Sequence, residues 1–247
     1  MRGERTIVVV AVVLLASFPC RAHDGAGPAT QPVRPANAIV LLDGTDMSAW
    51  RAFAGDRPPG TRVVDGAVEL EKGNAVTRQS FGDFRLYLEF HCPVEPPEVT
   101  GQKHANSGVY LHDRYEIQIL GHRGDAIPDE HEVGSIYGIK RPDRFAPLPD
   151  GSWQSFDCTF RAPRFDANGK KVRDARLTMY HNGVLVHDDA PIPRVTGAAR
   201  GEEAPTGPIR LQDKGHPVRF RNIWVVSLEA GTDADTVTTR PASSTTK

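Results

Sequence analysis

The sequence predicts an all-β protein built as a two-sheet antiparallel β-sandwich. Three observations predict it. Apolar and polar residues alternate with period two over several segments, most cleanly in Phe84–Cys92, where Phe84, Leu86, Leu88, Phe90 and Cys92 share one face. The 20 prolines and 23 glycines suit many turns between short strands. No long amphipathic helical pattern interrupts these segments, and many antiparallel strands at such spacing close into a sandwich or jelly roll.

The two ends separate from the middle. Arg2 and Arg5 precede an apolar run from Ile7 to Ala16, and Cys20-Arg21-Ala22 offers small residues at the −3 and −1 positions of a cleavage site. Residues 1–22 therefore read as a signal peptide, with secretion or a periplasmic location as the expectation. The apolar run is too short for a comfortable membrane anchor, and Phe18-Pro19 ahead of Cys20 fits a lipidation site poorly. Residues 23–37 read as a Pro/Ala/Gly linker and 230–247 as a disordered Thr/Ser/Ala tail. Residues 38–229 are left for one domain, roughly 190 residues and enough for a sandwich with a real core. The hydrophobic fraction of 39% and charged fraction of 25% fit a folded chain. The formal charge is −1, and losing Arg2, Arg5 and Arg21 against Glu4 leaves about −3, which excludes a broad nucleic-acid footprint.

Within the domain, Arg62–Leu70 reads as two short strands around Asp65-Gly66. Ser107–His112 and Tyr115–Leu120 pair across His112-Asp113-Arg114. Gln154–Ala162 is a further strand. Arg176–Tyr180 and Val184–His187 form a hairpin around His181-Asn182-Gly183, where Asn-Gly is a strong turn signal. Ile209–Gln212 and Val218–Leu228 close the domain. Cys92 and Cys158 both fall on apolar strand faces; a disulfide and two buried free thiols are both open. Trp50 and Trp224 read as packing residues, and Trp153 as a buried strand start.

Candidate chemistry lies on the polar faces. Tyr115, Ile117 and Ile119 point one way, so Glu116 and Gln118 point the other. In Ile209–Gln212, Ile209 and Leu211 face the core and Arg210 and Gln212 the opposite side. A carboxylate, a guanidinium and two amides suit the paired donors and acceptors of sugar hydroxyls. Either strand alone would be an ordinary solvated face; the same arrangement twice points to a site. His104, His112, His122 and His131 lie close in sequence but lack a zinc spacing, since His131-Glu132 continues as Val133-Gly134. No cofactor motif is present, and a divalent metal assembled from separate loops stays open. His216, just beyond Arg210 and Gln212, is a candidate acid or base near neutral pH. Tyr137 offers a ring on which a sugar could stack.

These residues resemble the 3-keto-disaccharide hydrolase domain family. The resemblance runs through Leu41–Trp50, Phe84–Phe90, Asn106–Tyr110, Tyr115–Leu120, Gly134–Gly138, Asn182–Val186, Gly207–Asp213 and Pro217–Trp224, covering about residues 38–229. Each motif is weak alone; their order and number carry the likeness. It implies a concanavalin-like jelly roll and activity on glycosides whose C3 hydroxyl has become a ketone. It implies site roles for Glu116 and Gln118 in the Y-E-x-Q-I segment and for Arg210 and Gln212 in the R-L-Q segment, with Asn106, Tyr137 and Lys214 as further substrate contacts. His216 stands where the family often has Asn, and Lys214 where His is common.

The implied chemistry is coherent. A C3 ketone acidifies the C2 hydrogen; a base removes it, the C1 substituent leaves, and water adds back. Such a site needs one base and enolate donors, whereas a retaining glycosidase needs two carboxylates about 5–5.5 Å apart. Gln118 at the second alternate position disfavours the latter. The expected roles are Glu116 or His216 as base and Arg210 as oxyanion stabiliser. Competing readings are a non-catalytic carbohydrate-binding module, an ordinary glycoside hydrolase and a surface adhesion domain.

Overall fold

The computed structural model describes residues 31–124 and 127–229; the segments expected to be a signal peptide at 1–22, a linker as far as residue 30 and a tail at 230–247 lie outside the described residues. The strands, in chain order, are β1 (Ile39–Leu42), β2 (Trp50–Ala52), β3 (Thr61–Val64), β4 (Ala67–Leu70) and β5 (Ala75–Thr77). They continue as β6 (Phe84–His91), β7 (Ser107–Leu111), β8 (Tyr115–Ile119), β9 (Trp153–Arg161) and β10 (Arg164–Phe165). The last are β11 (Lys171–Arg173), β12 (Ala175–His181), β13 (Val184–Ile192), β14 (Arg210–Leu211) and β15 (Arg219–Ser227). Among the described residues the only helical element is a 3-10 turn over Gly101–Lys103.

Eight strands form the larger sheet in the order β13-β12-β9-β6-β15-β4-β3, with β1 also paired to β15. Five form the other, β2-β5-β14-β7-β8, and β10 and β11 pair as a small ribbon. The strands read from alternation are present, and the pairings between them are antiparallel. The hairpin of β12 and β13 runs on to Ile192, well past His187. Five strands escaped the sequence reading: β1, β2, β5, β10 and β11. They have two to four residues each, too few for alternation to show, and are defined by their strand partners instead.

The inward faces meet in one core. Phe84, Leu86, Leu88, Phe90, Phe156, Cys158 and Phe160 from the larger sheet pack toward Val109, Leu111, Tyr115, Ile117 and Leu211 from the smaller. Tyr115 of β8 meets Phe160 of β9 across the layers, ring centroids 5.5 Å apart. Burying such side chains contributes about 1.5–3 kcal/mol each. Trp50 and Trp224 are buried, Trp50 donating to the Leu41 carbonyl at 2.8 Å. The cysteines are buried free thiols. Register explains it: Leu86 faces Cys158, while Cys92 lies beyond the His91–Trp153 pair. Six residues of strand separate them, roughly 20 Å, and a disulfide needs Cα atoms within about 7 Å.

Two turns behave as their sequences require. Asp65-Gly66 and Asn182-Gly183 both take positive φ at each residue, the geometry of a two-residue type I′ hairpin. The β7–β8 turn is different. His112 and Asp113 have φ of 55° and 60° without glycine, a conformation that costs about 1–3 kcal/mol per residue unless its surroundings enforce it. They do: His112 Nε2 lies 2.9 Å from the Gly82 carbonyl, and its ring packs edge-on to Phe160 at 4.8 Å. Burial lowers the His112 pKa to about 4, so the ring is neutral near pH 7.

Asp83 fastens the start of β6 to the end of β9. Its buried carboxylate accepts from Ala162 N at 2.9 Å, from Arg164 Nη1 and Nη2 at 2.9 and 2.6 Å, and from Arg161 Nη1 at 3.3 Å. Burial alone pushes the carboxyl up; the Arg164 fork, the Ala162 N–H and Arg161 outweigh it and hold the group below its ordinary value. A depressed carboxylate stabilises the fold above its unfolded pKa of about 3.9 and loses that contribution as pH falls through the folded value. Asp83→Asn is therefore expected to lower unfolding free energy by about 3 kcal/mol at pH 7. The gap to the wild type should narrow in acid. Urea melts across the pH range test this, and a neutral-pH midpoint equal to wild type would refute it.

Candidate functional site

The outward face of the five-stranded sheet carries two cross-strand rows. In the first, Arg51 lies opposite Val76, Val76 opposite Arg210, Arg210 opposite Tyr110 and Tyr110 opposite Glu116. In the second, Gln118 lies opposite Gly108, and Gln212 N donates to the Gly108 carbonyl at 2.9 Å. Directly opposed residues share a face, so the register brings Glu116, Gln118, Arg210 and Gln212 onto one surface. Asn106 joins them by parity with Gly108 and Tyr110 along β7.

Glu116 is 4% exposed and lies over the backbone of its neighbour. A Cβ on Gly108 would stand 2.6 Å from Glu116 Oε1, so any side chain there would push the carboxylate from this position. Burial pushes the Glu116 pKa up, while a hydrogen bond with Tyr110 and the charges of Lys214 and Arg210 pull it back; the net shift is upward. The Tyr110 hydroxyl accepts from Gln212 Nε2 at 2.9 Å, giving a chain from Gln212 through Tyr110 to Glu116. Tyr137 approaches from the segment beside β8, its N–H donating to the Glu116 carbonyl at 3.1 Å. Burial and the Glu116 charge raise its phenol pKa. Its ring meets His131 edge-on at 5.0 Å and stays partly exposed.

The amides form the floor beside Glu116. Gln118 Nε2 donates to Gln102 Oε1 at 3.0 Å and to the His131 carbonyl at 3.2 Å. Asn106 Nδ2 donates to the Gln102 carbonyl at 2.8 Å. Gln118 Oε1 and Gln212 Oε1 are buried acceptors with no protein hydrogen-bond partner. Buried acceptors of this kind carry a cost unless a donor reaches them, and hydroxyl groups are suitable donors.

Arg210 is anchored. Its Nε lies 2.8 Å from Asp113 Oδ1, an ion pair whose N–H is not aimed along a hydrogen bond, and its Nη2 donates to the Ala198 carbonyl at 2.7 Å. The guanidinium stacks on Tyr110, with Cζ 3.6 Å from the ring centroid. His216 is placed differently from its neighbours in sequence. Its Nδ1 lies 3.0 Å from Glu95 Oε1, and Glu95 Oε2 accepts from Ala105 N at 2.6 Å, which ties the ring to the 93–105 loop. The exposed Lys214, from the same loop as His216, joins Arg210 as a cation whose charge acts on Glu116. Among the described residues no three His, Cys, Asp or Glu side chains gather as a metal ligand set.

Sequence reasoning missed Tyr110, Gly108, Gln102 and Asp113. Parity along β7 was the available signal for the first two; the others depend on loops whose course alternation does not describe.

No curated protein matches this chain. Among solved structures, a candidate glycosyl hydrolase from Parabacteroides distasonis ATCC 8503 superposes with a TM-score of 0.70 at 31% identity, covering 81% of this chain and 94% of that one. A second from the same organism gives a TM-score of 0.58 at 18% identity, covering 78% and 94%. The profile of the 3-keto-alpha-glucoside-1,2-lyase-like domain matches residues 37–226, and with that span, the sandwich and the 31% identical relative, the chain belongs to this family.

Proposed function

We propose that the protein is a carbohydrate-active enzyme that cleaves 3-keto-glycosides, with Glu116 as the base. The observation that carries this is the setting of Glu116: a single buried carboxylate with a raised pKa, backed by Tyr110 and faced by Lys214, between two unpartnered amide oxygens. A carboxylate pushed toward neutrality is the stronger base, and here it stays within reach of a cation.

The steps balance. Glu116 takes the C2 proton of a ring bearing a C3 ketone, and the C2–H electron pair flows toward the C3 oxygen as an enolate. The enolate collapses, the C1–O bond breaks, and the aglycone leaves with that bond's electron pair and takes up the proton that Glu116 removed, giving a C1–C2 alkene and restoring the carboxylate. Addition of water, hydroxyl to C1 and hydrogen to C2, completes net hydrolysis. Lys214 and Tyr137, the cation and the phenol that interact electrostatically with Glu116, are assigned as donors to the forming enolate, and Gln118 and Gln212 accept from ring hydroxyls. Arg210, committed to Asp113 and the Ala198 carbonyl, sets the field and holds Tyr110 rather than moving with the substrate. His216, held by Glu95, is not used. An unoxidised glycoside lacks the acidic C2 hydrogen, and the site offers no second carboxylate at Gln118 for ordinary glycosidase chemistry.

Glu116→Gln is expected to lower kcat/KM on a 3-keto-glucoside by about 10²–10⁴-fold while leaving the melting temperature near wild type. Full activity in this variant, or binding of the substrate without turnover by wild type, would sink the proposal. Gly108→Ala should cost activity through the displaced carboxylate, read as a fall in kcat in a protein that still folds.

The pH profile follows from the sign of the shift. The base must be ionised, so kcat/KM falls as pH drops through the Glu116 pKa, and burial places that acid limb above the ordinary glutamate range. Lys214 lowers this pKa, so Lys214→Met should move the limb to higher pH. A limb that stays in place in this variant would separate Lys214 from the base.

A further inference from the structure

A pocket of about 390 Å³ opens beside Arg210, lined by Arg51, Phe53, Asp113, Arg114, Arg200 and Pro208. It is built by the end of β2, the strained β7–β8 turn and the 198–208 loop. Its charge is unbalanced. Asp113 is the one carboxylate in the lining, and Arg210 pairs with it at 2.8 Å. The guanidiniums of Arg51, Arg114 and Arg200 have no carboxylate within ion-pair distance among the described residues. Arg51 donates only to the Ala52 carbonyl next to it, at 3.3 Å. Arg114 is spent on carbonyls, His112 at 2.8 Å and Thr206 at 3.3 Å, which fixes its position. Arg200 is exposed and rests on the Phe53 ring, with Cζ 4.7 Å from the centroid; Arg210 lies 5.0 Å from that same ring.

Three cations around a cleft with an aromatic wall describe a receptor for an anionic group on a ring. The pocket also has a fixed relation to Glu116. Arg51 and Glu116 are the two ends of one cross-strand row, four strand steps or roughly 19 Å apart at the Cα atoms. A glycoside whose reacting ring lies at Glu116 would extend its other portion over Arg210 toward Arg51.

We propose that this pocket is an anion subsite that selects glycosides carrying a carboxylate or a sulfate or phosphate ester on the portion next to the reacting sugar. The proposal deepens the reading of Glu116 as a base and rests on it for the direction of the substrate. The anion takes the place left between Arg51 and Arg200, while Asp113 is already neutralised by Arg210 and does not repel it.

The test is calorimetric titration of the full-length protein with three unoxidised glucosides that differ in one group at the far end of a biphenyl aglycone long enough to pass Arg210: 4′-carboxybiphenyl-4-yl, 4′-sulfooxybiphenyl-4-yl and 4′-carbamoylbiphenyl-4-yl. At low salt the anionic members should bind about tenfold or more tightly than the neutral amide, the scale of one charge-assisted contact. Arg51→Gln and Arg200→Gln should bring the ratio toward one, as should 0.5 M salt in the titration buffer. Tighter binding of the carboxylate than the sulfate assigns the group to an acidic sugar or aromatic acid; the reverse assigns a sulfated one. Equal affinity for all three, no binding of any, or a preference that survives both substitutions would overturn the subsite. A preference for anions in a protein that turns over no 3-keto-glucoside would leave the subsite standing and remove the catalytic reading instead.

Discussion

Arg210 is the member of the site on which most others lean. A buried guanidinium is costly to desolvate, by several kcal/mol even after relaxation, and three contacts offset that cost: the Asp113 carboxylate, the Ala198 carbonyl and the face of Tyr110. Each contact fixes something else. The pairing with Asp113 ties Arg210 to the positive-φ β7–β8 turn. The stacking on Tyr110 sets the phenol that hydrogen-bonds Glu116. The bond to Ala198 brings in the loop that carries Arg200. Truncating Arg210 would leave Asp113 buried without its partner, so a loss of activity there would mix chemistry with folding. Glu116 and Lys214 are the cleaner probes.

The arrangement concentrates reactivity in one carboxylate by giving it amides and phenols as companions. Gln118 and Gln212 supply oxygen acceptors without adding negative charge, so the upward shift at Glu116 comes from burial and not from repulsion between acids. This distinguishes it from a pair of carboxylates that must share a proton. Elimination from an activated ketone asks for one base and nearby donors, and that is the inventory on this face.

Much of this was legible in the sequence because strand alternation is a local property. The parities of Glu116 and Gln118, and of Arg210 and Gln212, followed from the apolar residues between them, and the structure sets all four on one surface. Their convergence is not local: it depends on β14 pairing with β7 rather than with some other strand, a contact across about a hundred residues. The same limit hid Asp113, whose role comes from a turn conformation its sequence does not demand, and β2 and β5, which exist only through their neighbours. His216 and Lys214 show the limit within one loop. Both come from the loop after Gln212, and what sets them apart is the contact of His216 Nδ1 with Glu95, which no residue spacing announces.

The two thiols have a consequence for how the domain is made. Cys92 and Cys158 are sealed in the core, and burial raises both above the ordinary thiol range. A thiol that neither ionises nor meets solvent is a poor partner for glutathione or a disulfide isomerase. The sandwich thus owes no part of its closure to oxidants, and a reducing cytosol and an oxidising envelope would yield the same covalent core.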